Sequence, residues 1–476
     1  MDFNSTTPYD TLVEKWDPII NHSDLPNIGD VHKRRVTAVL LENQKKALQE
    51  QMLTEAPANN MGGGFSVSAA TSSAGNLAGY DPILISLVRR AMPNVVAYDI
   101  AGVQPMTAPT GLIFAMRSRY QSQTGDEAMF DEPWAQFSGA SGASGGFSGP
   151  GMLGSNVAGG HTFGVTPINS SGTQISDWTK FRGILTSQAE NLGGAADTYQ
   201  FREMAFSIER VAVEARTRAL KAEYTTELAQ DLKAVHGLDA ESELANILST
   251  EILNEINREI IRAVYFIAKK GAANTDLSGG GNGVYDILND SDGRWSAERY
   301  RGLMFQIERE ANLIAKQTRR GKGNFILCSA DVASALAMGG FLNLSPALNT
   351  NLNVDDTGNV FAGVLNGKFK VYIDPFVAEG VDFCLVGYKG VSPYDAGMFY
   401  CPYVPLQMVR AVSQDTFQPK IGFKTRYGMV ANPFAKGRTQ ITGNNDGLDA
   451  SSNVYYRLFS IKNLHGQTGG YFGGNP

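Results

Sequence analysis

Apolar residues return along this chain with two different periods, and each period predicts a different kind of element. The clearest helical period lies in residues 240–270, where isoleucine, leucine or valine recurs every three to four positions. This spacing places one apolar stripe along a single helix face. The stripe consists of Leu244, Ile247, Leu248, Ile252, Ile256, Ile260, Val264 and Ile267. With a rise of about 1.5 Å per residue, the predicted helix is about 46 Å long, more than a small core requires.

The amino-terminal region predicts a helix followed by an arm. Residues 30–53 are charged and loosely amphipathic, although the polar stretch 42–46 interrupts the apolar face. Residues 56–79 are small, polar and rich in glycine, a composition typical of a flexible arm. Residues 81–92 predict a short helix, because a capping aspartate and a proline stand at its start.

Alternating apolar and polar residues predict two strands, at 110–120 and 203–213. The alternation in the second strand slips by one residue after Ile208, as a β-bulge would produce. Between the two strands, residues 138–160 are low-complexity glycine and serine, which cannot bury enough apolar surface to order alone. The whole segment is therefore interpreted as a hairpin with a flexible tip.

The carboxyl-terminal half predicts mixed helices and strands. Helices are predicted over 222–235, where Gly237 ends the helix, and over 296–318 and 330–338. Strands are predicted over 324–328, 382–386 and within 397–430. The strongest local signal is a hairpin over 361–374, because its Asn366-Gly367 pair tolerates the two positive φ angles of a two-residue turn.

Composition narrows the classes of function. The 476 residues carry a formal net charge of −6, which argues against the basic face that a general nucleic-acid binder needs. No apolar run is long enough for a membrane span, and the three widely spaced cysteines indicate neither a disulfide framework nor a zinc site. Charged residues make up only 18% of the chain and glycines number 52, which together favour a subunit with extended arms and extensive contacts.

Short motifs that resemble catalytic or ligand sites lack the context that their chemistry requires. Ser144 lies in a G-x-S-x-G pattern without the preceding strand and following helix of a hydrolase. Residues 149–154 match a dinucleotide fingerprint but lack the same flanking elements, and residues 290–293 lack the later glutamate of a calcium loop. The sequence therefore predicts no catalytic residue, no cofactor and no metal site, and a protein that is not an enzyme.

Five blocks of the sequence resemble the major capsid protein family of T4-type tailed bacteriophages. They begin with MPNVVAYDIAGVQPMTAPTGLIFAMRSRY and end with FQPKIGFKTRYGMVANPF, and they cover residues 92–120, 218–260, 361–376, 386–406 and 417–434. The blocks are long, stand in the family's order and bracket most of the chain.

The resemblance implies an α+β, HK97-like phage capsid fold with an N-terminal arm, an E-loop, a peripheral domain built on a spine helix, and an axial domain. The parts implied for this chain are a cleaved, scaffold-binding pro-segment (1–55), the arm and entry to the peripheral domain (56–109), an E-loop with a short Gly/Ser-rich insertion (110–213), the spine-helix part of the peripheral domain (214–274), a mainly axial region (275–400), and the return to the peripheral domain with a C-terminal tail (401–476).

The same resemblance implies the major structural subunit of an icosahedral or prolate phage head. Such a subunit forms hexameric capsomers that enclose packaged double-stranded DNA without sequence-specific binding. Its expected location is the capsid shell of the virion, after assembly in the host cytoplasm. Its expected partners are further copies of itself, a vertex protein, a portal protein, scaffold core proteins, a prohead protease, a host chaperonin with a phage co-chaperonin, and decoration proteins.

Two other shell proteins remain as alternatives to the major subunit. The nearer alternative is the paralogous pentameric vertex protein of the same phages. An encapsulin-like compartment would share the fold but would not need residues 1–55.

A maturation site is expected between Glu55 and Ala56. The local sequence resembles the apolar–any–Glu pattern of T4-type prohead proteases, with Leu53 and Glu55 as the recognised positions. The site also stands where a charged helix gives way to a polar, glycine-rich tract, a junction that a protease can draw into its cleft.

Overall fold

The computed structural model of this chain describes most of its residues. They are 8–21, 28–54, 92–120, 122–125, 127–129, 138, 186–190, 201, 203–272, 283–291, 293, 295–340, 342–344, 360–378, 380–413, 418–437 and 447–464, with the side chains of 48–54, 94, 187, 188, 343, 344 and 360 outside the description. Contacts divide the chain into two compact units, Met1–Ile113 with Val211–Pro476, and Phe114–Arg210. Helices and sheets both contribute substantially, and the expected α+β class is confirmed.

The helices follow one another along the chain with one 3₁₀ turn at Met92–Asn94. They are α1 (Pro8–Ile20), α2 (Val31–Thr54), α3 (Ala97–Ile100), α4 (Thr186–Ala189), α5 (Thr226–His236), α6 (Ala240–Ile267), α7 (Ser296–Thr318) and α8 (Ala330–Met338). The strands are β1 (Gly102–Val103), β2 (Thr110–Tyr120), β3 (Met204–Glu214), β4 (Arg216–Glu223), β5 (Ala268–Lys270), β6 (Val284–Asp286), β7 (Phe325–Cys328), β8 (Leu342–Leu344), β9 (Val360–Leu365), β10 (Phe369–Ile373), β11 (Phe383–Gly387), β12 (Met398–Val412), β13 (Pro419–Ala431) and β14 (Asn453–Lys462).

Strands β2 and β3 pair as a separate two-stranded sheet, and most others join two larger sheets. A four-stranded sheet has the order β1-β12-β13-β4. Its β12–β13 register shifts next to Pro402 and again after Val404, where prolines without an N–H cannot complete the ladder. An eight-stranded sheet has the order β5-β14-β11-β7-β10-β9-β8, with β6 pairing beside β14.

The long helix predicted over 240–270 is confirmed over most of its length and ends earlier than expected. Helix α6 stops at Ile267, because residues 268–270 pair with β14 as strand β5. Its buried face runs from Ala245 to Ile267, whereas Ile247 points away from the core and is exposed.

The helix predicted over 222–235 begins four residues later than predicted, at Thr226. Residues 216–223 form strand β4, which pairs with β13, and the helix starts only at Thr226. The Thr225 side chain accepts a hydrogen bond from the Leu228 N–H, which caps the helix. Its predicted end is confirmed, since Gly237 has a φ of +68° and terminates α5 in the left-handed conformation.

The hairpin predicted around Asn366-Gly367 is confirmed. Both residues have positive φ angles, +51° and +67°, and they connect β9 to β10. Strand β10 then pairs in parallel with β7, so this hairpin enters the middle of the larger sheet.

Helix α2 is enclosed far more completely than a charged surface helix would be. All six residues from Val36 to Leu41 are buried, together with Asn43 and Gln44. Helix α1 lies on it and contributes Trp16 and Ile20 to the same core. Residues 36–41, 43 and 44 are therefore part of the interior.

Candidate assembly surfaces

The β2–β3 hairpin has one charged face, and side-chain contacts identify its members. The Arg119 side chain donates to Ser207 Oγ at 3.1 Å and to Glu209 Oε1 at 3.3 Å. Arg117 lies 3.0 Å from Glu209 and 2.7 Å from Glu127. Because alternate residues of a strand share a face, Arg117 and Arg119 lie on the same side as Ser207 and Glu209.

This charged face is the buried one. The Arg117 side chain has no solvent exposure, and those of Glu127 and Glu209 are only 8% and 11% exposed. Burial raises the pKa of Glu127, and the neighbouring Arg117 opposes that rise. A buried guanidinium between two carboxylates is stable only as a complete set, since a missing partner leaves an uncompensated charge.

The opposite face of the same hairpin is apolar and open to solvent. Its members are Phe114 and Met116 on β2, and Met204, Phe206 and Ile208 on β3, with exposed fractions between 51% and 68%. This arrangement reverses the usual order of apolar inside and polar outside. Exposed apolar patches of this kind mark interaction surfaces.

Helix α5 presents another apolar stripe. None of its residues is buried. Leu228, Val235 and the following Leu238 are all exposed, although their spacing would suit the buried side of an amphipathic helix. The stripe therefore also has the character of a contact surface.

An open groove between α6 and β4 is charged and internally paired. Arg218 lies 2.8 Å from Glu255 and 2.6 Å from Glu259. Tyr427 completes the network by donating to Glu259, and burial followed by this bond raises the pKa of the phenol. Arg218 thus pairs with two of the acidic residues that line the groove.

Most residues of the short motifs lie outside the described part of the chain, including Ser144, residues 149–154 and Asp292. Within the described part, no group of histidine, cysteine, aspartate and glutamate side chains could hold a metal ion. The described helices likewise include none that is long and apolar enough to cross a membrane. His32 has an ordinary structural role, with Nε2 at 3.1 Å from the Val103 carbonyl.

The predicted maturation site lies at the edge of the described chain. The backbone of Leu53 belongs to the last turn of α2, which ends at Thr54. Glu55 and Ala56 lie outside the described residues. The cleavage between them therefore stays a prediction.

The two faces of the hairpin could be predicted from the sequence, but their burial could not. Alternation separated the apolar residues of β2 from Arg117 and Arg119, but it did not indicate which face would be buried. Glu209, the partner of both arginines, is about ninety residues away in the chain. No local pattern connects them, so only the folded hairpin reveals that the apolar face is the open one.

Known proteins similar to this chain are phage head proteins. A family model described as "Major capsid protein Gp23" matches residues 77–461. The chain is 38% identical to the major capsid protein of Vibrio phage KVP40, covering 95% of this chain and 100% of that protein. It is 36% identical to the major capsid protein of Enterobacteria phage T4, covering 95% and 98%.

Two further similarities are more limited. The capsid vertex protein of Enterobacteria phage T4 is 28% identical over 49% of this chain and 54% of its own length. Among solved structures, the capsid of Myoviridae phage XM1 covers 77% of this chain and 92% of its own, at 9% identity and a TM-score of 0.36. The similarity to major capsid proteins thus extends through nearly the whole chain, whereas that to the vertex protein covers half.

Proposed function

This chain belongs to the Gp23 major capsid protein family, and we propose that the apolar face of its β2–β3 hairpin is the surface that joins one copy to the next. As a T4-type major capsid protein it is a structural component of the phage capsid shell, with the family's HK97-like α+β fold. The partial match to the vertex protein favours the major subunit over the vertex alternative.

One observation carries the proposal: five large apolar side chains are exposed on a ribbon whose charged side is buried. A two-stranded ribbon has no second layer of its own to cover such a face. In a hexameric capsomer each subunit offers the same face to its neighbour, and head-to-tail contacts of this kind close into rings. The occupant proposed for the face is therefore a second copy of this chain.

The hairpin proposal is tested by changing one side chain at the centre of the face. Phe206→Ser removes exposed apolar surface without disturbing Arg117 or Glu209, so the subunit should fold but assemble poorly. Phe206→Leu keeps the face apolar and serves as the matched control. Particle yield is measured by sedimentation and electron microscopy, with circular dichroism as the check on folding. Normal particles from Phe206→Ser would show that the face is not an assembly contact.

Family membership supports proposals for further partners of the subunit. We propose that hexameric capsomers contact a vertex protein at the five-fold positions, a portal protein and scaffold core proteins during assembly in the host cytoplasm, and decoration proteins on the finished shell. Folding is proposed to require a host chaperonin with a phage co-chaperonin, because exposed apolar faces promote aggregation before assembly. The finished shell is proposed to enclose double-stranded DNA without reading its sequence.

Maturation is proposed to proceed through cleavage between Glu55 and Ala56 by a prohead protease that recognises Leu53 and Glu55. Residues 1–55 hold nine acidic and six basic side chains, so their removal takes −3 of the −6 total. Intact mass and terminal sequencing of the capsid band from virions test this step. A chain that starts at Ala56 supports the proposal, and a chain that retains residues 1–55 overturns it. Glu55→Ala should stall particles before DNA filling.

A further inference from the structure

The segment proposed for removal is bound inside the subunit that it leaves. Helix α2 buries Val36, Val39, Leu40 and Leu41, each with at most 3% of its surface exposed. All of these positions precede Glu55, so cutting the bond after Glu55 breaks none of their contacts. What then holds residues 1–55 to residues 56–476 is the packing itself.

The groove that holds α2 belongs to the part of the chain after the cut. Asn43 Nδ2 donates to the carbonyl oxygens of Met106 and Tyr403, at 2.7 and 3.0 Å. His32 Nε2 lies 3.1 Å from the carbonyl oxygen of Val103. These carbonyls are fixed acceptors on one wall of the groove, and side chains of α2 satisfy them.

The amino-terminal end of α2, next to His32, makes further polar contacts with the same part of the chain. Lys33 Nζ donates to the Pro93 carbonyl oxygen at 3.2 Å and lies 5.0 Å from the centre of the Tyr98 ring. The cation over an aromatic face adds attraction at this end. The helix is therefore anchored at its amino-terminal end and near its middle, and its apolar residues pack in between.

Helix α1 covers the side of α2 that faces away from the groove. Lys15 and the indole N–H of Trp16 both donate to Glu42, at 2.6 and 3.1 Å. Asp10 lies 3.0 Å from Arg35. Because these contacts join two parts of the pro-segment, α1 and α2 would leave the groove as one helical pair.

We infer that cleavage and release of the pro-segment are separate events, and that residues 56–476 carry a groove that retains the α1–α2 pair after the chain is cut. This inference rests on the proposed maturation of the subunit. Cleavage alone leaves the core filled, so the subunit keeps its fold. Release uncovers the apolar groove and the carbonyls of Val103, Met106 and Tyr403, and is the step that changes the surface of the subunit.

A cut made in the folded full-length chain tests the inference. The recognition sequence of an unrelated protease is inserted between Glu55 and Ala56, the subunit is folded, and the protease is added under native conditions. The expected result is co-elution of both fragments in size-exclusion chromatography, with a native mass equal to the uncut subunit. Immediate separation of the fragments, or aggregation of residues 56–476 on cutting, overturns the inference.

Two variants then test whether the named groove is responsible. Asn43→Ala removes the two hydrogen bonds to the groove wall and should speed loss of the fragment about tenfold or more. Lys46→Ala changes an exposed position on the same helix and should leave the rate unchanged. Equal rates for the two variants overturn the assignment of the groove.

The experiment is independent of the natural maturation site. If virions contain a chain cut elsewhere or not at all, the proposed maturation fails while retention of a cut α1–α2 pair still stands. If virions start at Ala56 and the engineered cut releases the fragment at once, maturation stands and the inference fails.

Discussion

Arg258 donates hydrogen bonds from one guanidinium nitrogen to both carboxylate oxygens of Asp374, at 2.7 and 2.6 Å. The Asp374 side chain has no solvent exposure, and it also accepts from the Tyr265 hydroxyl at 2.9 Å and the Phe376 N–H at 3.0 Å. Arg258 and Tyr265 lie on α6, whereas Asp374 directly follows β10. The carboxylate therefore fastens the long helix to the larger sheet.

Arg258→Ala should destabilise the subunit by about 3–5 kcal/mol, because a buried carboxylate loses its cationic partner. The paired change Arg258→Met with Asp374→Asn should cost less than Arg258→Ala alone, since no buried charge is then left unmatched. The free energy of unfolding is measured by urea titration. Arg262→Ala, an exposed position on the same helix, is the control and should have little effect. A loss as large for Arg262→Ala would contradict the role given to the pair.

Elements set by neighbouring residues were predicted well from the sequence. The Asn366-Gly367 turn and the left-handed end of α5 at Gly237 both depend on residues that tolerate positive φ, and both are present. Most of the buried stripe of α6 was also predicted correctly, with Ile247 as an exposed exception, because its period of three to four residues is a property of the helix itself.

Elements whose environment depends on distant residues were not predicted. Strand β14 was missed, although it lies between β5 and β11 in the larger sheet. Its Arg457 is buried 3.3 Å from Glu310 of α7, a partner 147 residues away in the chain. A charged residue inside a strand argues locally for exposure, and only that distant carboxylate makes its burial tolerable.

The burial of helix α2 in the pro-segment was likewise not predictable from its own sequence. Its sequence predicted a charged, loosely amphipathic helix with one apolar face, yet all of Val36–Leu41 is enclosed because α1 covers the side that the groove leaves open. Sequence periodicity describes one helix at a time. It does not reveal that a second helix shields the first.

Gln44→Met should stabilise the subunit by about 1–2 kcal/mol. Gln44 is buried at 2% exposure, and neither polar atom of its amide has a hydrogen-bond partner among the described residues. A methionine of similar shape has no amide group, so no buried polar atom is left without a hydrogen bond. The neighbouring Asn43→Leu is the matched contrast, because Asn43 does have partners and its loss should destabilise. Urea unfolding of both variants decides the point, and a loss of stability in Gln44→Met would show that its amide is satisfied.

The three cysteines should be inert in the native subunit. Burial raises the pKa of Cys328 and of Cys401 to about 12, and raises that of Cys384 well above its usual value. Since the thiolate is the reactive form, an aromatic disulfide reagent should modify none of them until the chain unfolds. All three should then react in concentrated guanidinium chloride, which provides the internal control. A thiol that reacts at the native rate of a free cysteine would contradict this burial.

Lys389 should make stability depend on pH in the alkaline range. Burial lowers the pKa of its ammonium group from 10.5 to about 8, with Asp99 opposing the change and Lys33 and Lys370 reinforcing it. Between these two pKa values the unfolded chain binds a proton that the folded chain does not. The buried ammonium group therefore lowers the stability of the fold by its full amount below about pH 8, and this cost declines to nothing as the pH rises from 8 to 10.5.

Lys389→Met removes the buried charge and keeps the local backbone, because the bonds to Asn324 use the main-chain N–H and carbonyl of residue 389. At pH 7 the variant should be more stable than the wild type by about 1–2 kcal/mol, allowing for solvent screening of a partly exposed group. The difference should shrink as the pH rises towards 10, where the wild-type lysine is neutral in the folded state. Urea unfolding of both proteins across this range measures the change. Lys233→Met, at an exposed position on α5, is the control, and its stability difference from the wild type should not change with pH. If that difference also shrank as the pH rose, Lys389 would not be the source of the pH dependence.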